Sequence, residues 1–137
     1  MEEKLSVCLI NDSFPPLIDG VANTVMNYAK VVNEKHGKAV VAVPFYPKAD
    51  DSGFPYKVIR FPSINTERII DYRAGYPFSY ETLEKIKPEK INIIHTHCPF
   101  ASTVLARTLR EPLDSPIIFT YHTKFDVDIE RAVGKGY

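Results

Sequence analysis

The sequence predicts an α/β domain built on a doubly wound, mostly parallel sheet. Three apolar runs, LSVCLI (5–10), INIIHT (91–96) and PIIFTY (116–121), read as strands buried on both faces. Between these and two shorter runs lie segments whose apolar residues recur at helical spacing. Strands alternating with helices are the pattern of a parallel α/β sheet.

Each element follows in order. After the first strand, Val21, Ala22, Val25, Met26, Ala29 and Val32 predict a helix over 21–33, with Gly37 where a helix C-cap belongs. KAVVAV (38–43) and KVIRF (57–61) are the second and third strands. A long irregular stretch, 61–78, follows; a loop of that length in a compact domain is usually functional. Residues 79–87 predict a short helix, capped by Ser79 and stopped by Pro88. The fourth strand is 91–96. The helix 99–110 opens on Pro99 and buries Leu105, Ala106 and Leu109. After the fifth strand, 116–121, Phe125, Ile129 and Val133 predict a last helix over 125–133.

The 137 residues suit a single domain, residues 1–137. Such a chain buries about two-thirds of its extended surface, enough for a core. Lys+Arg and Asp+Glu balance at 17 each, which excludes a protein that wraps nucleic acid. No basic run holds the chain on an anionic membrane by charge alone. Cys8 and Cys98 form no disulfide framework, and the apolar run behind MEEK is too short for a leader or a span. A reducing, cytoplasmic setting is expected.

Ligands of open parallel sheets bind beyond the carboxyl ends of the strands, where the strand order reverses. Three unusual stretches follow strands: NDSFPPLIDGVA (11–22), HTHCPFA (95–101) and TYHTKFD (120–126). With a strand order of 3-2-1-4-5 they line one crevice. Gly20 opens a helix whose unpaired N–H groups suit an anion; Asp19–Gly20 also reads as a plain turn and cap. No G-x-G-x-x-G or Walker A pattern is present. His95 and His97 are two apart and face one side of a regular strand. His97, nearer the strand end, is the better contact candidate, and His95 the better candidate for a buried structural residue. His122 sits at the mouth of the last strand, where an imidazole can donate or accept near neutral pH. Cys98 and His122 lack the spacing of a closed zinc site, so no metal is assigned. Asp12 reads either as a group that orients hydroxyls or as a turn residue.

Together, NDSFPPLIDGVANTV, IIHTHCPF and PIIFTYHT resemble the N-terminal domain of retaining GT-B glycosyltransferases of the group-1, family-4 class. The likeness covers nearly the whole chain, with KHGKAVVAV as a loose match to a turn that usually carries a histidine where Lys38 stands. It implies a Rossmann-like fold, the acceptor-side half of two domains facing across a cleft. It implies transfer of a sugar from a nucleoside-diphosphate sugar to an acceptor hydroxyl, lipid or carbohydrate, with retention and with no cofactor or metal. On that analogy Gly20 approaches the donor diphosphate, His122 lies beside the reacting sugar as the catalytic group, and Asp12, His97 and Phe100 line the acceptor side. Asp19 replaces the commoner first glycine of the turn. The expected nucleotide-sugar domain, with a Glu pair separated by seven residues, lies outside these residues, and the chain alone is expected to be inactive. HTHCPF…TYHT resembles members that glycosylate diacylglycerol-type lipids, which implies a lipid acceptor. Tyr72, Tyr76, Phe78 and Tyr80 with Arg68 and Arg73 read first as residues that pack the loop down, and otherwise as groups that stack on a sugar ring or make peripheral contact with the inner face of a membrane. Two rivals stand beside this reading: a non-catalytic flavodoxin-like binding or regulatory module, and a metal-dependent hydrolase using His95, His97 and His122.

Overall fold

In the computed structural model, residues 5–17, 19–66, 69, 73–97 and 101–120 are described. The chain begins with β1 (Leu5–Ile10), passes through α1 (Gly20–Val31) and a π turn over 32–36, and returns as β2 (Gly37–Pro44). β3 (Lys57–Phe61) and two short strands, β4 (Ser63–Ile64) and β5 (Ala74–Gly75), follow. Then come α2 (Tyr80–Ile86), a 3-10 turn over 87–89, β6 (Ile93–Thr96), α3 (Ala101–Leu113) and β7 (Ile117–Phe119).

The main sheet has the order β3-β2-β1-β6-β7, every pair parallel. Counting its strands alone, this is the order 3-2-1-4-5 on which the crevice argument rests. The order reverses between β1 and β6, so the switch point lies at the carboxyl ends of those two strands.

Period-two alternation along the strands builds two cores. Cys8, Ile10, Val40, Ala42, Ile59 and Phe61 point to the face covered by Ile86 of α2 and by Leu105, Ala106 and Leu109 of α3. Val7, Leu9, Ala39, Val41 and Val43 point to the other face, where Val21, Val25 and Ala29 of α1 and Phe14 of the loop between β1 and α1 meet them. Of the stripe expected for the first helix, Val21, Ala22, Val25 and Ala29 are buried and Met26 and Val32 partly so; the stripe expected for α3 is buried throughout.

Some boundaries differ from the sequence reading. β6 starts at Ile93 rather than residue 91, because Asn92 uses its side chain on β1: its Oδ1 accepts from the Ser6 N–H, and its own N–H donates to the Ser6 carbonyl. α3 runs on to Leu113, which packs against the first core. Within 61–78, β4 and β5 pair antiparallel, a ladder the sequence reading lacked. It sits tightly, since a Cβ at Gly75 would lie 2.3 Å from the Phe61 ring. The helix expected over 125–133 lies outside the described residues.

Candidate functional site

The loop after β1 is held by its own polar side chains. Asn11 Nδ2 donates to the carbonyl and hydroxyl of Ser13, and the Ser13 hydroxyl donates to Asp19 Oδ1 at 2.9 Å. The same carboxylate oxygen accepts the Ala22 N–H at 2.7 Å. Asp19 is therefore the N-cap of α1. Its carboxylate occupies one donor of the helix end and offsets part of the positive field there.

Gly20, next in the chain, is solvent-exposed, and a Cβ added there would meet nothing within 4 Å. The fold itself places no steric demand for glycine at this position. Open space over a helix start is what close approach of a ligand requires.

Asp12 is 7% exposed, and its Oδ2 accepts from the Ser102 hydroxyl at 2.8 Å. That bond joins the loop after β1 to the first turn of α3, where a carboxylate is favoured by the helix dipole. Ser102 was not singled out in the sequence, because a serine near a helix start is common and its partner is 90 residues away.

His95 and His97 do face the same side, with ring centroids 4.1 Å apart. Tyr28 of α1 lies against both, at 5.6 and 5.4 Å. Their expected exposures are reversed. His97 was expected to open onto the cleft and is fully buried, its N–H donating to the Ile10 carbonyl and its ring beneath Tyr28. His95 is half-buried and shares a short hydrogen bond with the Thr120 hydroxyl. Tyr28 of α1 lies against both rings alike, so the difference in burial comes from their places on the chain, with His97 bonded to the end of β1. Among the described residues, no three His, Cys, Asp or Glu side chains converge as metal ligands do.

His122 and Phe100 lie outside the described residues, as do Cys98 and Pro99. Thr120 donates its N–H to the Thr96 carbonyl. The described chain therefore ends beside the last residue of β6. Cys8 is fully buried, and burial pushes its thiol up to about 12, so it is an inert core residue.

Arg60 is the residue that sequence reasoning missed. At the carboxyl end of β3, its Nε and Nη2 grip Asp51 at 3.0 and 2.7 Å. Nη1 donates to the Pro44 carbonyl at 3.0 Å and Nη2 to the Pro15 carbonyl at 2.7 Å. The guanidinium also lies 5.5 Å from the Phe14 ring centre. The available signal was a cation inside the alternating run KVIRF, on the face where Val58 is apolar.

The chain matches the family model described as Glycosyltransferase Family 4 over residues 18–136. It is 30% identical over 132 residues to an alpha-monoglucosyldiacylglycerol synthase of Streptococcus pneumoniae (strain ATCC BAA-255 / R6). That match takes in 96% of this chain and 30% of the relative, so the chain spans under a third of the length of this curated relative. A solved structure of Phytolacca americana UGT2, complexed with UDP-2fluoro-glucose and pterostilbene, aligns at a TM-score of 0.45 and 12% identity. The alignment covers 88% of this chain and 31% of that one.

Proposed function

This chain belongs to glycosyltransferase family 4, and we propose that it is the acceptor-side domain of an enzyme that moves a sugar from a nucleoside-diphosphate sugar to a lipid hydroxyl. The observation that carries the proposal is the gathering, at the switch point, of an open glycine helix start, a buried carboxylate and a pair of imidazoles. In this reading the sugar leaves its diphosphate with retention of configuration, and the departing phosphate takes the acceptor proton. Such a reaction needs positioning and charge stabilisation rather than a protein nucleophile or a metal.

Gly20 lets the diphosphate come close to the start of α1. Asp12, held by Ser102, orients acceptor hydroxyls. His122 hydrogen-bonds the reacting sugar, and Phe100 lines the acceptor side with His95, the accessible member of the imidazole pair, while buried His97 backs it. The nucleotide falls mainly to a second domain, so the 137 residues alone give no turnover.

A lipid acceptor is favoured by the apolar side chains beyond β2 and β3. Phe45, Ile64, Tyr76, Phe78 and Tyr80 are all exposed, with Arg73 over the Phe45 ring at 5.8 Å. Among the described residues no helix is long and apolar enough to cross a membrane, so contact with a bilayer would be made by this surface.

The test is an assay of the full-length protein with a panel of nucleotide sugars and vesicles containing diacylglycerol. A glycolipid with retained anomeric configuration is expected. Transfer to soluble sugars only would overturn the lipid assignment, and no transfer to any acceptor would overturn the activity. Failure of this chain to float with anionic vesicles at low salt would remove the membrane contact.

A further inference from the structure

We propose that Arg60 is a positioning residue for the glycine turn. It would fix where the start of α1 stands relative to the sheet and so set the strength of the diphosphate contact at Gly20. This inference rests on the reading of Gly20 given above.

The geometry is unusually complete for one side chain. Arg60 lies on the outer strand of the main sheet, 11% exposed, and reaches three separate segments. Asp51 in the β2–β3 connection holds it from one side through a paired contact, which fixes the plane of the guanidinium. The Pro44 carbonyl, at the end of β2, fixes its depth. The remaining contacts, the Pro15 carbonyl and the Phe14 ring, are both in the loop after β1. Phe14 is fully buried, so the guanidinium rests on a ring packed into the second core.

From Pro15 the chain is only five residues from Gly20. The same loop is tied at its other end by Asn11, Ser13 and Asp19. Those bonds are internal to the loop and shape it without locating it. The Asn11 N–H to the Ala42 carbonyl anchors its beginning. Beyond that point, Asp12 ties the loop to α3 through Ser102, and Arg60 anchors its middle to the far strands.

Lysine does not replace this arrangement, because a single ammonium lacks the planar fork that serves a carboxylate and two carbonyls together. Arg60→Lys keeps the charge and the Asp51 attraction, and it releases Pro15. Arg60→Met removes both and leaves Asp51 unpaired.

The experiment uses this 137-residue chain, labelled for amide resonance measurements, with inorganic pyrophosphate as the probe. In Arg60→Lys the resonances of Leu9, Val41 and Ile94 are expected to stay in place, while those of Asp19, Gly20 and Val21 shift. The pyrophosphate-induced shift at Gly20 should need roughly tenfold more ligand, the scale of a modest misplacement of a contact group. If Asp19–Val21 do not move in the ligand-free variant, the inference is overturned, whether or not pyrophosphate binds. An equal pyrophosphate response in both chains overturns it as well. If pyrophosphate moves no resonance at Gly20 in the native chain, the diphosphate reading falls, and the ligand-free shifts alone decide the role of Arg60. Arg60→Met is the stronger variant; should it fail to fold, Arg60→Lys still decides.

Discussion

Gly37 and Gly20 stand at opposite edges of the sheet, and the fold treats them differently. Gly37 starts β2 at φ +155°, and a Cβ there would sit 2.0 Å from the Leu5 carbonyl oxygen. Only glycine fits, for reasons internal to the fold. Gly20 opens α1 with nothing within 4 Å of a Cβ. No packing or conformational demand accounts for it.

The surroundings differ in the same sense. At the amino edge, Glu89 ties β2 and β3 to the turn after α2, accepting from Lys38 at 3.0 Å and from Lys57 at 2.6 Å. These groups are all used in holding strands together. At the carboxyl edge, polar groups bind one another across loops: Asp12 with Ser102, Ser13 with Asp19, Arg60 with Pro15. One edge is built to close the sheet. The other is built to hold a surface in place.

The largest expected effect is Gly37→Ala. A side chain at that φ, pressed on a backbone carbonyl, should cost about 3 kcal/mol or more, read as a large fall in the urea midpoint. A small loss there would erase the contrast between the two glycines. Next is Ser102→Ala. Asp12 loses a charge-assisted bond in a buried setting, which should cost about 1–3 kcal/mol by the same measurement. Asp19→Ala removes the cap of α1 and should cost about 1 kcal/mol, with helix content by circular dichroism falling slightly.

Glu89→Gln gives a smaller, pH-dependent loss. The Lys57 hydrogen bond, with Lys38 adding to it, holds the Glu89 carboxyl below its ordinary value of 4.5, against the opposing effect of burial. A lowered value in the folded state stabilises the fold above the unfolded value. That stability is lost as pH falls from 4.5 through the folded value. Both lysines are about half exposed, so at neutral pH each pair is worth about 1 kcal/mol or less. Urea midpoints of Glu89→Gln and the native chain should differ at neutral pH and converge in acid. The smallest change in stability is expected from Gly20→Ala, within about 0.5 kcal/mol, since alanine suits a helix start that has room for it. A midpoint that drops as far as that of Gly37→Ala would give Gly20 a structural reason and weaken its assignment to the diphosphate.

Much of this was legible before any coordinates. LSVCLI and KVIRF are strands with the ends read from the sequence, Ser79 caps α2, and Leu105, Ala106 and Leu109 form the buried stripe. The 3-2-1-4-5 order was a condition of the crevice reading rather than a result of it, and it is the order observed. Local patterns suffice for the strands, the cap and the stripe, because burial repeats with the period of the strand or helix that carries it. The site was less legible. The sequence placed His95 and His97 on one side and could not place Tyr28 above them. It read Asp19–Gly20 as a turn and cap beside the anion reading, and the hydrogen bond to Ala22 bears out the cap.

The order of residues thus determined the α/β class and the glycine that opens α1, while the crossing of the chain between β1 and β6 is seen only in the assembled sheet. Tertiary structure alone decided which imidazole stays accessible, what holds Asp12, and that Arg60 anchors a loop 45 residues earlier in the chain. Periodicity is a local property that a linear pattern records. A contact between side chains from distant segments depends on how helices and strands are set against each other, and no stretch of sequence carries that by itself.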